Sequence, residues 1–107
     1  MTLKQLRTFA QQGDARAQFN LGYAYAYGEG APRDFAQAIR WTRKAADQGD
    51  ARAQFNLGLW HQLALDDTQA ATWYRKAADQ GFARAQFESY RESRRANELT
   101  QATAAWA

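Results

Sequence analysis

Few side chains in this chain of 107 residues could do covalent chemistry. His61 is the single histidine, and Ser89 and Ser93 are the two serines. Neither serine lies in a G-x-S-x-G or S-x-x-K setting, so nothing in the sequence activates one as a nucleophile. The absence of cysteine excludes thiolate nucleophiles, disulfides and Cys-based metal sites. A metal at His61 would need further His or Cys ligands, and only carboxylates are on offer. Asp66 and Asp67 form an acidic pair that reads as a helix cap plus a favourable first-turn charge, not as an acid–base couple. Gly28-Glu29-Gly30 is too short to cradle a phosphate. No catalytic residue, metal or cofactor is assigned, and the chain does not read as an enzyme.

What remains is the chemistry of recognition. Tyr and Arg are typical anchors of protein interfaces, and an Asn side chain offers a peptide backbone both a donor and an acceptor. Arg16, Asn20, Tyr23 and Tyr27 recur at three- and four-residue steps, so on a helix they share one face. Arg52, Asn56, Leu59 and Leu63 repeat that spacing, and Arg84, Glu88, Arg91 and Arg95 repeat it again. These twelve residues are the expected partner-binding set.

The elements that must position them follow from an internal repeat. Gly13 to Gly22 reads GDARAQFNLG, and Gly49 to Gly58 is identical. A decaying third copy, GFARAQF, starts at Gly81, and RKAADQG ends at Gly49 and again at Gly81. The copies begin 36 and 32 residues apart, and a period in the thirties marks stacked helical hairpins. Composition agrees: the chain has no Val, one Ile and abundant Ala, which favours helix over strand. The expected fold is an all-α, short right-handed solenoid of stacked antiparallel hairpins with about six helices. Residues 1–12 form an N-terminal capping helix, 13–48 and 49–80 two repeats, and 81–107 a degenerate repeat with a C-terminal cap.

In the first unit a helix is expected from Ala15 to Tyr27, capped by Asp14, with Ala17, Leu21, Ala24 and Tyr25 as its buried stripe. A Gly-rich turn with Pro32 leads to a second helix over Phe35 to Gln48, capped by Asp34 and ended by Gly49. Its inward residues are Ala38, Trp41 and Ala45, with Ile39 and Thr42 beside them. Gly22 and Gly58 sit mid-helix, where Gly costs about 1 kcal/mol against Ala; their repetition points to close approach of a neighbouring helix. In the second unit Ala64 matches Gly28, Asp66 matches Asp34, and residues 29–32 have no counterpart, giving a tight turn near Leu65 and Asp66. His61 takes the packing position of Tyr25. Trp41 and Trp73 are repeat-locked core residues, whereas Trp60 and Trp106 read as either packed or exposed anchors. Thr2 and Gln5 fit a capping box.

The ordered set Ala17, Leu21, Gly22, Tyr25, Gly28, Gly30, Asp34, Ala38, Trp41, Ala45, Ala46 and Gly49, repeated as Ala53, Leu57, Gly58, Asp66, Ala70, Trp73, Ala77, Ala78 and Gly81, resembles the Sel1-like repeat, a relative of the tetratricopeptide repeat. The resemblance covers about Gly13 to Phe87 and departs at His61 and at the missing second Gly-x-Gly loop. It implies an α-solenoid that mediates protein–protein interactions, often as a bacterial adaptor, with the first helix of each repeat lining the concave side.

The expected function is therefore capture of a protein or peptide in that groove. A self-associating structural module, forming a homodimer, is one rival; a single-stranded RNA binder stacking bases on Tyr23 and Tyr27 is another. Against the latter, the net charge is only +3, and the one locally basic stretch is Arg91, Arg94 and Arg95, short of a dense basic stripe. Second-helix positions such as Arg43 and Arg75 are expected to be bystanders. No apolar run approaches the roughly 20 residues that span a bilayer, and a cytoplasmic location is expected.

Overall fold

Five helices begin where a side-chain oxygen takes up backbone N–H groups of the first turn. The computed structural model describes residues 1–85 together with Glu88, Arg91, Arg94 and Arg95. Helix α1 (Leu3–Gln11) follows the N-cap Thr2, whose pairing with Gln5 completes a capping box. Asp14 caps α2 (Ala15–Tyr27) and Asp34 caps α3 (Phe35–Asp47). Asp50 caps α4 (Ala51–Leu63) and Asp66 caps α5 (Asp67–Asp79). A further helical segment is described at residues 83–85, 88, 91, 94 and 95, and no strand occurs among the described residues. Ser89, Tyr90, Ser93 and Trp106 lie outside them.

The helices pair as expected: α2 packs on α3 and α4 on α5, while α1 against α2 and α3 against α4 join successive units. Leu21 and Tyr25 of α2 and Ala38, Trp41 and Ala45 of α3 are buried in one cluster that continues into Ala53, Leu57, Trp60 and Trp73. A second cluster joins Phe55, Ala70, Tyr74, Ala77 and Ala85, with Phe82 against it. Apolar side chains brought together in this way supply most of the stability of such a stack.

Four details depart from the sequence expectation. Ile39 is 44% exposed, because the buried residues of α3 are Ala38, Trp41, Thr42, Ala45 and Ala46, and Ile39 lies one step off that stripe. Helix α3 stops at Asp47, with Gln48 as its C-cap. His61 is half-buried, with Nδ1 3.8 Å from Asp66 Oδ2, whereas Tyr25 at the matching position is buried. Ala64, aligned with Gly28, does not take the left-handed conformation of Gly28 (φ 70°). Leu65 takes it instead, at φ 62° and 82% exposed. Deleting four loop residues leaves the tight turn to a side chain that such a backbone disfavours.

Trp60 is packed, and its ring meets that of Phe35 edge-on at 5.2 Å. The indole replaces Ala24 of the first unit and reaches the start of α3.

Successive units are also stitched by buried amides. Gln18 Nε2 donates to the carbonyl of Ala10, and Gln48 Nε2 donates to Gln18 Oε1 and to the carbonyl of Gly13. One unit on, Gln54 Nε2 donates to Ala46, and Gln80 Nε2 donates to Gln54 Oε1 and Gly49. Gln18 and Gln54 are buried, so their amides need these partners, and each adds a second donor to a last-turn carbonyl that already accepts from the Gly13 or Gly49 N–H. The signal was present in the repeated phrases, where Gln18 and Gln54, and Gln48 and Gln80, stand in register.

Candidate functional site

The four first-unit residues of the expected binding set lie exposed along α2. Tyr23 and Tyr27 are 41% and 49% exposed, and their rings sit together with centroids 4.6 Å apart. Burying such aromatic faces is a large favourable term in association. Toward the start of α2, a cavity of about 160 Å³ has Arg16 and Asn20 on one wall and Leu6 and Phe9 of α1 on the other. An apolar slot thus opens beside an amide and a guanidinium.

In the second unit the same face is less open. Arg52 and Leu63 are exposed, but Asn56 and Leu59 are half-buried, with Leu59 packed on the core. The Arg52 guanidinium lies 4.2 Å from the Phe19 ring centroid and 3.0 Å from Asp50 Oδ2. Arg84 repeats the stacking over Phe55 at 5.3 Å. These arginines cover aromatic rings of the preceding unit while presenting N–H groups to solvent.

Along the third segment Arg91 pairs with the half-buried Glu88 at 3.4 Å, and Arg95 Nε lies 3.9 Å from Asp67 Oδ2. The most open and least committed part of the face is therefore Arg16, Asn20, Tyr23 and Tyr27. No cluster of three His, Asp or Glu side chains that could hold a metal occurs among the described residues. Nor is any helix among them long and apolar enough to cross a membrane.

The Sel1 repeat family model matches residues 15–50 and again 51–82. The chain belongs to the Sel1 repeat family. The two matches coincide with the α2–α3 and α4–α5 hairpins. The crystal structure of a Sel1 repeat protein from Oxalobacter formigenes superposes with a TM-score of 0.77 at 35% identity, covering 81% of this chain and 36% of that one. A protective antigen present in uropathogenic Escherichia coli strains, displaying an SLR fold, gives 0.79 at 38% identity over 83% of this chain and 20% of the other. Among curated proteins, the secretory immunoglobulin A-binding protein EsiB of Escherichia coli is 42% identical over 45 residues. This Sel1 repeat chain spans 9% of the length of EsiB. Sel1 repeat proteins are generally scaffolds for protein–protein interaction and are typically non-enzymatic.

Proposed function

We propose that this chain is a protein- or peptide-binding module that holds its partner along the exposed face of α2 and onward over α4. The observation that carries the reading is the exposed pair Tyr23–Tyr27, whose rings meet at a tilt, in line with Asn20 and Arg16. Aromatic anchors next to a polar rim are what a peptide interface needs. The cavity beside Arg16 offers room for an apolar partner side chain, and Asn20 can meet its backbone. That a relative carries the name of an immunoglobulin-binding protein supports the same class of function.

The test is peptide-display selection on the parent chain, followed by binding of the selected peptide to an Asn20→Ala, Tyr23→Ala, Tyr27→Ala triple variant. All three side chains are exposed, so the variant is expected to keep the parent's helical circular dichroism and lose affinity by about 100-fold, in line with the removal of two anchors. A folded triple variant that binds the peptide as the parent does would place the partner elsewhere.

A further inference from the structure

On the side of the stack formed by the second helices, three cations separated in sequence converge. An open cavity of about 540 Å³ lies between α1 and α3, with Arg7 on one wall and Arg40 and Lys44 on the other. Among the described residues no acidic side chain lines it. Its floor is built from the buried residues Ala10, Gln18, Tyr25 and Trp41. The cations are held in place. Arg7 donates to the Tyr25 hydroxyl. Arg40 and Lys44 lie 5.7 and 5.5 Å from the centroid of the Trp41 ring. None of the three makes an ion pair among the described residues.

The second unit supplies an internal comparison. Arg43 stands where Arg7 does, Lys76 where Lys44 does, and Trp73 where Trp41 does. Three positions differ, the first being His61 in the place of Tyr25. Asp47 occupies the place of Gln11 and binds Arg43 at 3.1 Å, and Thr72 replaces Arg40. The second unit therefore holds two cations and one acid where the first holds three cations and no acid. The repeat scaffold does not require three unneutralised charges, since its other copy folds without them. Like charges gathered around one cleft raise its potential and draw counter-ions into it, and a bound oxyanion would relieve their repulsion through charge-assisted hydrogen bonds. The volume falls within the range of about 300–1,000 Å³ common for small-ligand sites.

We propose that the cleft between α1 and α3 is a binding site for a multiply charged oxyanion, a phosphate group or a cluster of carboxylates, clamped by Arg7, Arg40 and Lys44. The site lies away from the α2 face and stands independently of the partner reading.

Calorimetric titration with pyrophosphate and with a tetra-aspartate peptide, at one fixed low ionic strength, tests it. Backbone amide shifts locate the site. Saturable binding of either probe, with shifts centred on α1 and α3, is expected; pyrophosphate alone would assign phosphate chemistry and the peptide alone carboxylates. The Gln11→Asp, Arg40→Thr variant installs the second unit's residues at positions where that unit folds with them. It is expected to weaken binding by about 100-fold, tenfold for each altered contact. An Arg33→Ala, Arg75→Ala variant changes the net charge equally and is expected to bind as the parent does. Absence of saturable binding, equal weakening in both variants, or shifts spread over all surface arginines would overturn the proposal.

Discussion

Gly58 lies directly against the ring of Tyr74: a Cβ at Gly58 would sit 2.5 Å from Tyr74 Cδ1. Tyr74 is fully buried, so its ring has nowhere to retreat. In the first unit the pair is Gly22 and Thr42, and a Cβ at Gly22 would come within 2.2 Å of Thr42 Oγ1 and 3.0 Å of the Ala38 carbonyl oxygen. The hairpin closes more tightly there than any side chain permits. Gly22→Ala and Gly58→Ala are each expected to destabilise the chain by about 1–2 kcal/mol, because overpacking outweighs the gain of roughly 1 kcal/mol in helix propensity. Leu at either site is expected to cost several times more. Urea unfolding midpoints check this, and an Ala variant more stable than the parent would show that the helices part easily.

Leu65 yields the opposite expectation. Its backbone is left-handed at φ 62°, and its side chain is 82% exposed. The conformation costs a non-glycine residue about 1–2 kcal/mol, and little packing is lost on its removal. Leu65→Gly is expected to raise stability by roughly 0.5–1 kcal/mol, after the entropy cost of glycine in the unfolded chain. Thermal melting of the two proteins decides it; a lower midpoint for the glycine variant would mean that Leu65 contributes contacts of its own.

These two cases show where the sequence was legible. Helix starts could be read because each depends on one local oxygen: Asp14 and Asp34 were assignable as caps without knowledge of any partner. The Gly22 and Gly58 contacts were legible through repetition, although the residues they meet, Thr42 and Tyr74, were not. The turn near Leu65 and Asp66 was legible from the missing counterparts of residues 29–32, but nothing local says which residue of the turn takes the strained conformation. Ile39 escaped because its apolarity suggested burial that its angular position denies. In the candidate site, spacing put Arg16, Asn20, Tyr23 and Tyr27 on one face, as found. It gave no warning that Arg52 and Arg84 would lie over rings of the preceding unit, since Phe19 and Arg52 are 33 residues apart. For the same reason Arg7, Arg40 and Lys44 did not register as a basic group.

The glutamine clamp predicts a cost out of proportion to its size. Gln54 is buried, donates to Ala46 and accepts from Gln80. Gln54→Ala removes both bonds and leaves the Gln80 amide without its side-chain partner. A loss of about 1–3 kcal/mol is expected, from two hydrogen bonds of about 1 kcal/mol each and the packing of a buried side chain. Gln18→Ala is expected to behave alike. A double-mutant cycle between Gln54 and Gln80 measures the coupling; additive effects would show that the two amides act separately.

Arg43 and Arg75 occupy the same place in successive copies of RKAADQG, yet the structure gives them unequal surroundings. The Arg43 guanidinium lies 5.0 Å from the Trp73 ring centroid and 3.1 Å from Asp47. Arg75 is exposed and makes no ring contact or ion pair of this kind among the described residues. The expectation that both are bystanders left out the contact at Arg43, where the next second helix brings Trp73 under the guanidinium. An exposed cation–π contact contributes about 0.5–1 kcal/mol, and an exposed i,i+4 ion pair roughly 0.3–0.5. Arg43→Ala is therefore expected to cost close to 1 kcal/mol, and Arg75→Ala to stay within about 0.5 kcal/mol of the parent. The larger part of the Arg43 effect should persist in molar salt, which screens the ion pair but leaves the stacked stem in place. Denaturant unfolding of both variants at low and high salt reads this out. Equal midpoints for the two would show that the contact with Trp73 adds nothing to the joint between units.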